Sequence, residues 1–238
     1  MYKRILLKLS GEALKADAKD SIYSEEGFLP IVDTIIKLHN RGTQIGIVIG
    51  GGNIWRGKLA EQLSLEREPA DYMGMCATVI NCLAMASALN NRGVKATVFN
   101  ALGAFPEAVC KDYNEEEANK ALENGEVVFF AGGCGKPYFT TDTASAKRAI
   151  ETKCDAILMA KNGVEGVYDK DPRFHDDAKF IKNITYQKVL DLKLGVMDLT
   201  AIELLMNTEL QIRVFAMSNS ENIIRVVDGE DIGTTVRR

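Results

Sequence analysis

Short apolar runs alternate along this chain with longer stretches whose apolar positions recur at helical spacing. Each run is bounded by glycine or polar residues, as expected of strands that are buried on both faces of a sheet. This alternation predicts an α/β fold, a three-layer αβα sandwich with a largely parallel central sheet. The predicted strands are Ile5–Leu9, Gln44–Ile49, Lys95–Phe99, Glu126–Phe130, Ala156–Ala160 and Gln211–Ala216.

Capping residues predict where several helices and loops begin. Pro30 suits the first turn of a helix, and Asp71 is predicted to cap a long uncharged helix. Asn114, which three glutamates follow, predicts another helix start. Residues 163–183 are rich in Gly, Asp and Pro and predict a hairpin or surface excursion, and residues 17–27 predict a mobile polar loop.

The stretch from Tyr72 to Asn91 carries no charge and has the length of a membrane span. Thr78, Asn81 and Ser87 interrupt it, and most of its other residues are small or sulfur-containing rather than Leu and Phe. We interpret it as a core helix that also packs against another subunit, and not as a membrane span.

Composition favours a cytoplasmic protein that folds as one domain over residues 1–238, or as two closely merged lobes. Of 238 residues, 46% are hydrophobic and 26% charged, and the net charge of −4 leaves no broad basic surface for nucleic acid. Five cysteines without a C-x-x-C pair indicate reduced thiols rather than zinc or disulfides. The apolar run at the N-terminus is too short for a signal peptide.

Polar, glycine-bearing turns directly follow four of the predicted strands. Ligands of parallel sheets bind beyond the carboxyl ends of the strands. We therefore expect these turns to meet at one edge and to form one extended site. The four turns are Ser10–Glu12, Gly50–Asn53, Gly132–Asp142 and Lys161–Gly163.

The turn of Gly50, Gly51 and Gly52, with Arg56 just beyond, is typical of a phosphate site. Backbone N–H groups without side chains can approach an anion closely, and a guanidinium can bind its oxygens at two points. A plain strand-to-helix turn would give the same pattern. The match to the P-loop motif is incomplete, because Leu59 stands at the position where that motif has a Mg²⁺-binding Ser or Thr.

Lys8 lies on an otherwise apolar strand, where an ammonium is costly to bury without an anion, although it could also extend to solvent. Asp142 opens a later helix, where it could cap the helix, orient Lys8 or face a metal. His39 and His175 follow no predicted strand, so a histidine-based nucleophilic site is not expected. Phosphoryl transfer fits best, because it needs positioning and positive charge rather than a strong base.

Five motifs in this order and spacing resemble those of the bacterial UMP kinase (uridylate kinase) family, within the amino acid kinase superfamily. The resemblance runs nearly end to end and is specific because the motifs occur together. The motifs are Lys8–Leu14, Gly50–Gly57, Asp71–Met75, Tyr138–Thr143 and Gly166–Pro172.

The resemblance implies an amino acid kinase-like fold and transfer of the γ-phosphoryl of ATP to UMP, with Mg²⁺ carried by ATP and no separate metal site. It implies that the N-terminal part mainly binds UMP and that the part from about residue 155 mainly binds ATP. It also implies a homohexamer, built as a trimer of dimers through the uncharged helix.

The family motifs also imply residue roles. The implied catalytic residues are Lys8, Asp142 and Asp198. The implied ATP-binding residues are Lys8, Leu9, Ser10, Gly11, Gly52, Arg56, Asn162, Tyr168 and Asp171. The implied UMP-binding residues are Gly51, Asp71, Cys134, Gly135, Lys136, Pro137, Tyr138, Phe139, Thr140 and Thr141.

Two departures from the family pattern affect these expectations. Cys134 and Lys136 stand where the family usually has Thr and Asn, so side-chain contacts to uracil from these positions do not carry over. Lys136 could instead meet the UMP phosphate. The polar segment 17–27 also departs from many relatives, so activation by GTP and inhibition by UTP are not assumed.

Two alternative functions stay open at the level of the sequence. One is a kinase of the same superfamily that phosphorylates a carboxylate, a carbamate or another small phosphate. The other is a nucleotide-binding module without catalysis, against which the presence of both Lys8 and Asp142 argues.

Overall fold

The computed structural model describes residues 1–18, 20–103, 105–161, 163–217 and 219–238. Within these ranges nine strands form one sheet in the order β4-β3-β5-β2-β1-β6-β10-β11-β9. Neighbouring strands are parallel except for β10 and β11. The strands are β1 (Arg4–Leu9), β2 (Gln44–Ile49), β3 (Ala96–Asn100), β4 (Lys111–Asp112), β5 (Val127–Ala131), β6 (Ala156–Lys161), β9 (Asn183–Thr185), β10 (Gln211–Ala216) and β11 (Thr234–Arg237).

Helices cover both faces of this sheet, which confirms the predicted three-layer αβα architecture. One core cluster joins α1, α3 and α8 to the sheet, and a second joins α4, α5, α6 and α7 to the opposite face. A short 3₁₀ turn, Gly11–Leu14, follows β1. The helices are α1 (Glu25–Asn40), α2 (Gly57–Gln62), α3 (Arg67–Asn90), α4 (Glu115–Glu123), α5 (Thr141–Glu151), α6 (Tyr186–Asp191), α7 (Leu199–Leu205) and α8 (Glu221–Val227).

All six predicted strands are present, with ends that differ by at most one residue. They carry the longest apolar runs because the layers bury them on both faces. The predicted excursion after β6 is also present as a hairpin of β7 (Val167–Tyr168) and β8 (Phe180–Ile181). Patterning missed β4, β9 and β11, which lie near the edges of the sheet and are only two to four residues long.

Two predicted helix starts are wrong. Helix α1 begins at Glu25 rather than at Pro30, because the hydroxyl of Ser24 accepts a hydrogen bond from Gly27 N–H and two glutamates occupy the first turn. The last residues of the predicted mobile loop therefore belong to this helix. Helix α3 begins at Arg67, so Asp71 lies inside it. The predicted cap at Asn114 is confirmed, since its side chain accepts from Glu117 N–H.

Helix α3 is long and apolar enough to cross a membrane, judged by length and composition alone. Half of its most apolar stretch is buried inside the protein, where Cys82, Met85 and Leu89 pack in the core. Core helices of globular proteins pass the same test, and this packing agrees with the predicted core helix. The side chains of Tyr72, Met73 and Ile80 remain exposed on its outer face.

Candidate active site

Lys8 and Asp142 form an ion pair at the carboxyl edge of the sheet. Along β1 the side chains alternate between faces, so Leu7 and Leu9 point to α1 and α3 while Lys8 points to α5. The Nζ atom of Lys8 lies 2.7 Å from Oδ1 of Asp142, and the two side chains are 18% and 21% exposed. Partial burial weakens screening by water, so this contact is stronger than a surface ion pair.

Asp142 is available for this pair because another residue caps α5. The hydroxyl of Thr140 accepts hydrogen bonds from the N–H groups of Asp142, at 3.0 Å, and Thr143, at 3.3 Å. Of the alternatives open for Asp142 from the sequence, capping is therefore wrong and pairing with Lys8 is observed. Oδ1 of Asp142 is buried and forms no hydrogen bond of suitable geometry within the described ranges.

Asp198 supports this helix start from the other side. It caps α7 by accepting from Ala201 N–H at 2.9 Å. The same carboxylate accepts from the hydroxyl of Thr143 at 3.0 Å and from that of Thr140. The structure therefore places Asp198 against the residues that position Asp142, and its observed partners do not include Lys8.

Two polar side chains of α3 hold two of the glycine turns. The buried amide of Asn81 donates to Gly50 O and to Oδ1 of Asn53, both at 2.8 Å. The hydroxyl of Thr78 accepts from Gly132 N–H at 2.9 Å, after β5. The sequence singled out both side chains as interruptions of an uncharged helix, but it gave them no role. A fully buried amide is costly unless it is hydrogen-bonded. An amide within an uncharged, apolar helix was therefore the sequence signal that could have indicated such a role.

Gly11 lies where the first two turns approach each other most closely. A Cβ atom there would clash with Gly50 O and with Oδ1 of Asn53. We expect Gly11→Ala to lower the free energy of unfolding by about 1–3 kcal/mol, the usual cost of overpacking. Chemical denaturation measures this change. Gly57→Ala is the matched control, because its Cβ would meet nothing within 4 Å; an equal loss in both variants would contradict the close approach.

Arg56 connects the glycine turn to the turn after β1. Its Nε donates to Gly52 O at 3.1 Å, and one terminal nitrogen lies 2.5 Å from Oε1 of Glu12. Burial acts to raise the pKa of Glu12. The hydrogen bonds and positive charges of Arg56 and Lys15 have the larger combined effect, so the pKa of Glu12 is lowered. Glu12 is thus an anionic partner that holds Arg56 near the edge of the sheet, and sequence reasoning did not assign it.

A cavity of about 230 Å³ opens beside the glycine turn. The carboxylate of Asp71 faces it, held by Arg67 Nε at 2.8 Å and by Tyr138 N–H at 2.8 Å. Lining residues that the sequence predicted for UMP are Gly51, Asp71, Phe139, Thr140 and Thr141.

The other predicted UMP residues, 134–138, are absent from this lining. Within this segment the backbone turns at Gly135, whose φ is +73°, and a Cβ atom at this position would clash with Ala101 O. Burial raises the pKa of the Cys134 thiol. Lys136 and Tyr138 are exposed to solvent.

A second cavity, of about 460 Å³, lies beside the β7–β8 hairpin. Tyr168 and Asp171 line it, as do Lys161 and Gly195. Hydrogen bonds from Arg173 lower the pKa of Asp171 to about 2, so this carboxylate is charged at neutral pH. The predicted ATP residue Asn162 lies outside the described residues.

The remaining predicted ATP residues lie in the turns after β1 and β2. The side chain of Leu9 is buried in the core, on the face away from Lys8. Ser10 O accepts from Ala13 N–H at 3.0 Å in the 3₁₀ turn. Gly52 lies in the turn that Arg56 contacts. The structure therefore brings three of the four predicted turns together at the carboxyl edge of the sheet. In the fourth turn, Lys161 ends β6 and Asn162 lies outside the described residues.

Residues 3–216 match the family model described as the amino acid kinase family, and the chain belongs to this family. Within it, the sequence is similar to uridylate kinases. The uridylate kinase of Mycoplasma capricolum is 50% identical over 230 residues, which cover 96% of this chain and 95% of the relative. The uridylate kinase of Mesoplasma florum is 48% identical and covers 96% of this chain and 94% of the relative.

A solved structure gives the same picture. The UMP kinase of Bacillus anthracis superposes with a TM-score of 0.94 at 37% identity, covering 99% of this chain and 96% of that chain. This match over nearly the whole of both chains shows that the two proteins share one fold. The amino acid kinase-like fold expected from the sequence is thereby confirmed.

Proposed function

We propose that this protein is a UMP kinase, which transfers the γ-phosphoryl of ATP to UMP and releases UDP and ADP. The observation that carries the proposal is the Lys8–Asp142 pair at the edge where the glycine turns meet. Thr141, next to Asp142 in the chain, lines the smaller cavity, and Lys161 of the neighbouring strand lines the larger one. The similarity to uridylate kinases and UMP kinases over nearly the full chain supports the same function.

The two cavities suit two nucleotides. The smaller one, beside Asp71, would hold UMP, with the carboxylate accepting from ribose hydroxyls. The larger one, beside Tyr168 and Asp171, would hold the adenosine of ATP, together with Asn162. In this arrangement residues 1–238 act as one domain whose N-terminal part binds the acceptor and whose part from about residue 155 binds the donor.

The chemistry rests on positive charge and on backbone N–H groups. Lys8 would hold the moving phosphoryl together with the backbone of Leu9, Ser10 and Gly11. Gly52 and Arg56 would bind further phosphate oxygens. Such preorganised donors stabilise charge that spreads over the phosphoryl oxygens in the transition state, so no strong base is needed.

Mg²⁺ would enter bound to the phosphates of ATP. Carboxylate oxygens are its preferred protein ligands, and the carboxylate of Asp142, which is paired with Lys8 at this edge, would face it. Those ranges contain no group of three His, Cys, Asp or Glu side chains that could hold a metal on their own. Bound Mg²⁺ would neutralise charge on the phosphates, while Asp142 orients Lys8 and Asp198 holds the start of α5.

The acceptor would contact the segment Cys134–Thr141 through its backbone and its last residues. Cys134, Gly135, Lys136, Pro137 and Tyr138 do not line this cavity, and we propose that they contact UMP at its margin. Lys136 is exposed and could then pair with the UMP phosphate. Phe139, Thr140 and Thr141 already line the cavity and would contact UMP directly.

Asp71→Asn is expected to raise the KM for UMP by roughly 10- to 100-fold, since hydrogen bonds to a charged group contribute about 1.5–3 kcal/mol. The kcat should change less, because the ribose hydroxyls that Asp71 would bind take no part in the transfer. Steady-state kinetics at saturating ATP measure both values. Asp33→Asn, a surface change on α1, is the control; an unchanged KM in Asp71→Asn would place the ribose elsewhere.

The proposal includes a cytoplasmic homohexamer built through α3. Exposed apolar side chains on α2, at its C-cap and on α3 would be covered by a second copy, as expected of a sizeable apolar patch. Light scattering of the purified protein, whose chain mass is 26.2 kDa, would reveal the number of copies. The exposed side chains concerned are Leu59, Leu63, Tyr72, Met73 and Ile80.

An acceptor panel tests the function itself. The protein is incubated with Mg·ATP and UMP, CMP, dTMP, aspartate, glutamate or carbamate, and ADP release is followed. UMP is expected to be the best acceptor by far. A better rate with a carboxylate or carbamate would assign the chain to another kinase of its superfamily, and binding without ADP release would make it a non-catalytic nucleotide-binding module.

A further inference from the structure

Lys161, the last residue of β6, lies on the same face of the sheet as Lys8. Lys8 of β1 is the register partner of Met159 of β6, and side chains of paired residues in parallel strands point the same way. Lys161 follows Met159 by two residues and therefore points to the same side. Its ammonium extends into the larger cavity, beside the β7–β8 hairpin.

The Lys161 ammonium is held by a neutral backbone carbonyl rather than by a carboxylate. Nζ donates to the carbonyl of Gly195 at 2.8 Å, in the loop between α6 and α7. Burial lowers the pKa of Lys161, an effect that the carboxylate of Asp142 opposes and the charge of Lys8 reinforces. Asp142 itself is paired with Lys8 at 2.7 Å. The Lys161 ammonium thus lies close enough to the Lys8–Asp142 pair to feel both of its charges.

We propose that Lys161 binds the phosphate chain of the donor nucleotide, at the α- and β-phosphates. In this arrangement Lys8 holds the transferred phosphoryl and Lys161 holds the phosphates that remain on ADP. This inference rests on the proposed function, which places ATP in the larger cavity. On binding, the ammonium leaves Gly195 O for phosphate oxygens, which are stronger acceptors because they are charged.

The position of Lys161 favours the donor over the acceptor. It lines the larger cavity together with Tyr168, and it is absent from the lining of the smaller cavity beside Asp71. A polyphosphate that runs from the larger cavity toward Lys8 passes Lys161, because the two lysines belong to adjacent strands. A bound polyanion also offsets the repulsion between the two ammonium groups.

A binding series tests this role in the full-length protein. Dissociation constants of adenosine, ADP and the unreactive β,γ-imido analogue of ATP are measured by calorimetry with Mg²⁺ present. Lys161→Gln is expected to weaken ADP and the analogue by about 10- to 100-fold, as for loss of a hydrogen bond to a charged group. Affinity for adenosine should stay unchanged. Lys161→Arg keeps the charge and should retain most of the affinity.

Lys147→Gln is the matched control, because Lys147 is a surface lysine of α5 whose ion-pair partner is Glu151 at 3.8 Å. Thermal unfolding distinguishes binding from a structural role. Lys161→Gln should leave Tm unchanged or raise it, since it removes a partly buried charge. Equal losses of adenosine, ADP and analogue affinity together with a lower Tm would make the Gly195 contact structural and overturn the proposal.

The proposed function can fail separately from this inference. A wild-type protein that phosphorylates UMP, while Lys161→Gln binds ADP normally, would contradict the inference alone. A wild-type protein that binds the adenine nucleotides with Lys161-dependent affinity, but does not phosphorylate UMP, would contradict the proposed function alone.

Discussion

Lys8→Met is expected to lower kcat for UMP phosphorylation by about 10²–10³, the usual loss when one preorganised charge stabiliser is removed. Methionine keeps the length and apolar character of the side chain, so β1 should retain its packing. The ammonium that balances charge on the moving phosphoryl disappears, while both cavities remain. Stopped assays at saturating UMP and ATP measure kcat directly.

The control for this variant is Lys147→Met, which removes a surface charge from α5 and should leave kcat unchanged. Circular dichroism and Tm verify that Lys8→Met is folded. The variant loses an ammonium from a partly buried pair, so Asp142 is left without its cation and some loss of stability is expected. A folded Lys8→Met protein with a near-normal kcat would rule out Lys8 as the residue that stabilises the transferred phosphoryl.

Asp142→Asn is expected to lower kcat by about 10²-fold, the order of loss caused by misplacing a reacting group by an ångström. The neutral amide does not hold the Lys8 ammonium as the carboxylate does, so the ammonium is free to shift. The fold should persist because Thr140, not Asp142, caps α5. Binding of UMP, measured by calorimetry, should stay nearly normal.

Thr140→Ala is the informative comparison, because it removes the cap of α5 while both residues of the ion pair, Lys8 and Asp142, stay unchanged. It should lower Tm more than Asp142→Asn does. The Lys8→Met/Asp142→Asn double variant should lose little more activity than Lys8→Met alone, since the two residues act as one unit. Strictly additive losses, or an Asp142→Asn protein that fails to fold, would contradict a role that acts through Lys8.

Much of the fold could be predicted because its strongest signals are local. Apolar runs such as Gln44–Ile49 are long, lie between glycine and polar residues, and are buried on both faces, so pattern and structure agree. The predicted helix starts at Pro30 and Asp71 were wrong because a proline or an aspartate does not by itself determine where a helix begins. For α1 the start depends on Ser24, whose hydroxyl accepts from Gly27 N–H. Short edge strands escaped detection because two to four residues carry no periodic pattern.

The site was predictable in outline and not in its contacts. The rule that ligands bind at the carboxyl ends of parallel strands placed the glycine turns correctly at one edge. The partners within that edge come from distant parts of the chain, such as Asn81 on α3 and Asp198 before α7. Spacing along the sequence has no information on such pairs, so Glu12 and Lys161 received no role from the sequence alone.

The sequence by itself determined the layered α/β architecture and the placement of polar turns at one edge, because the side-chain pattern of each element reflects its own burial. Tertiary structure alone decided that Asp142 pairs with Lys8 while Thr140 caps the helix. It also decided that Lys161 shares a face with Lys8. These outcomes depend on register between strands and on competition among polar groups for a few partners, which only the folded chain settles.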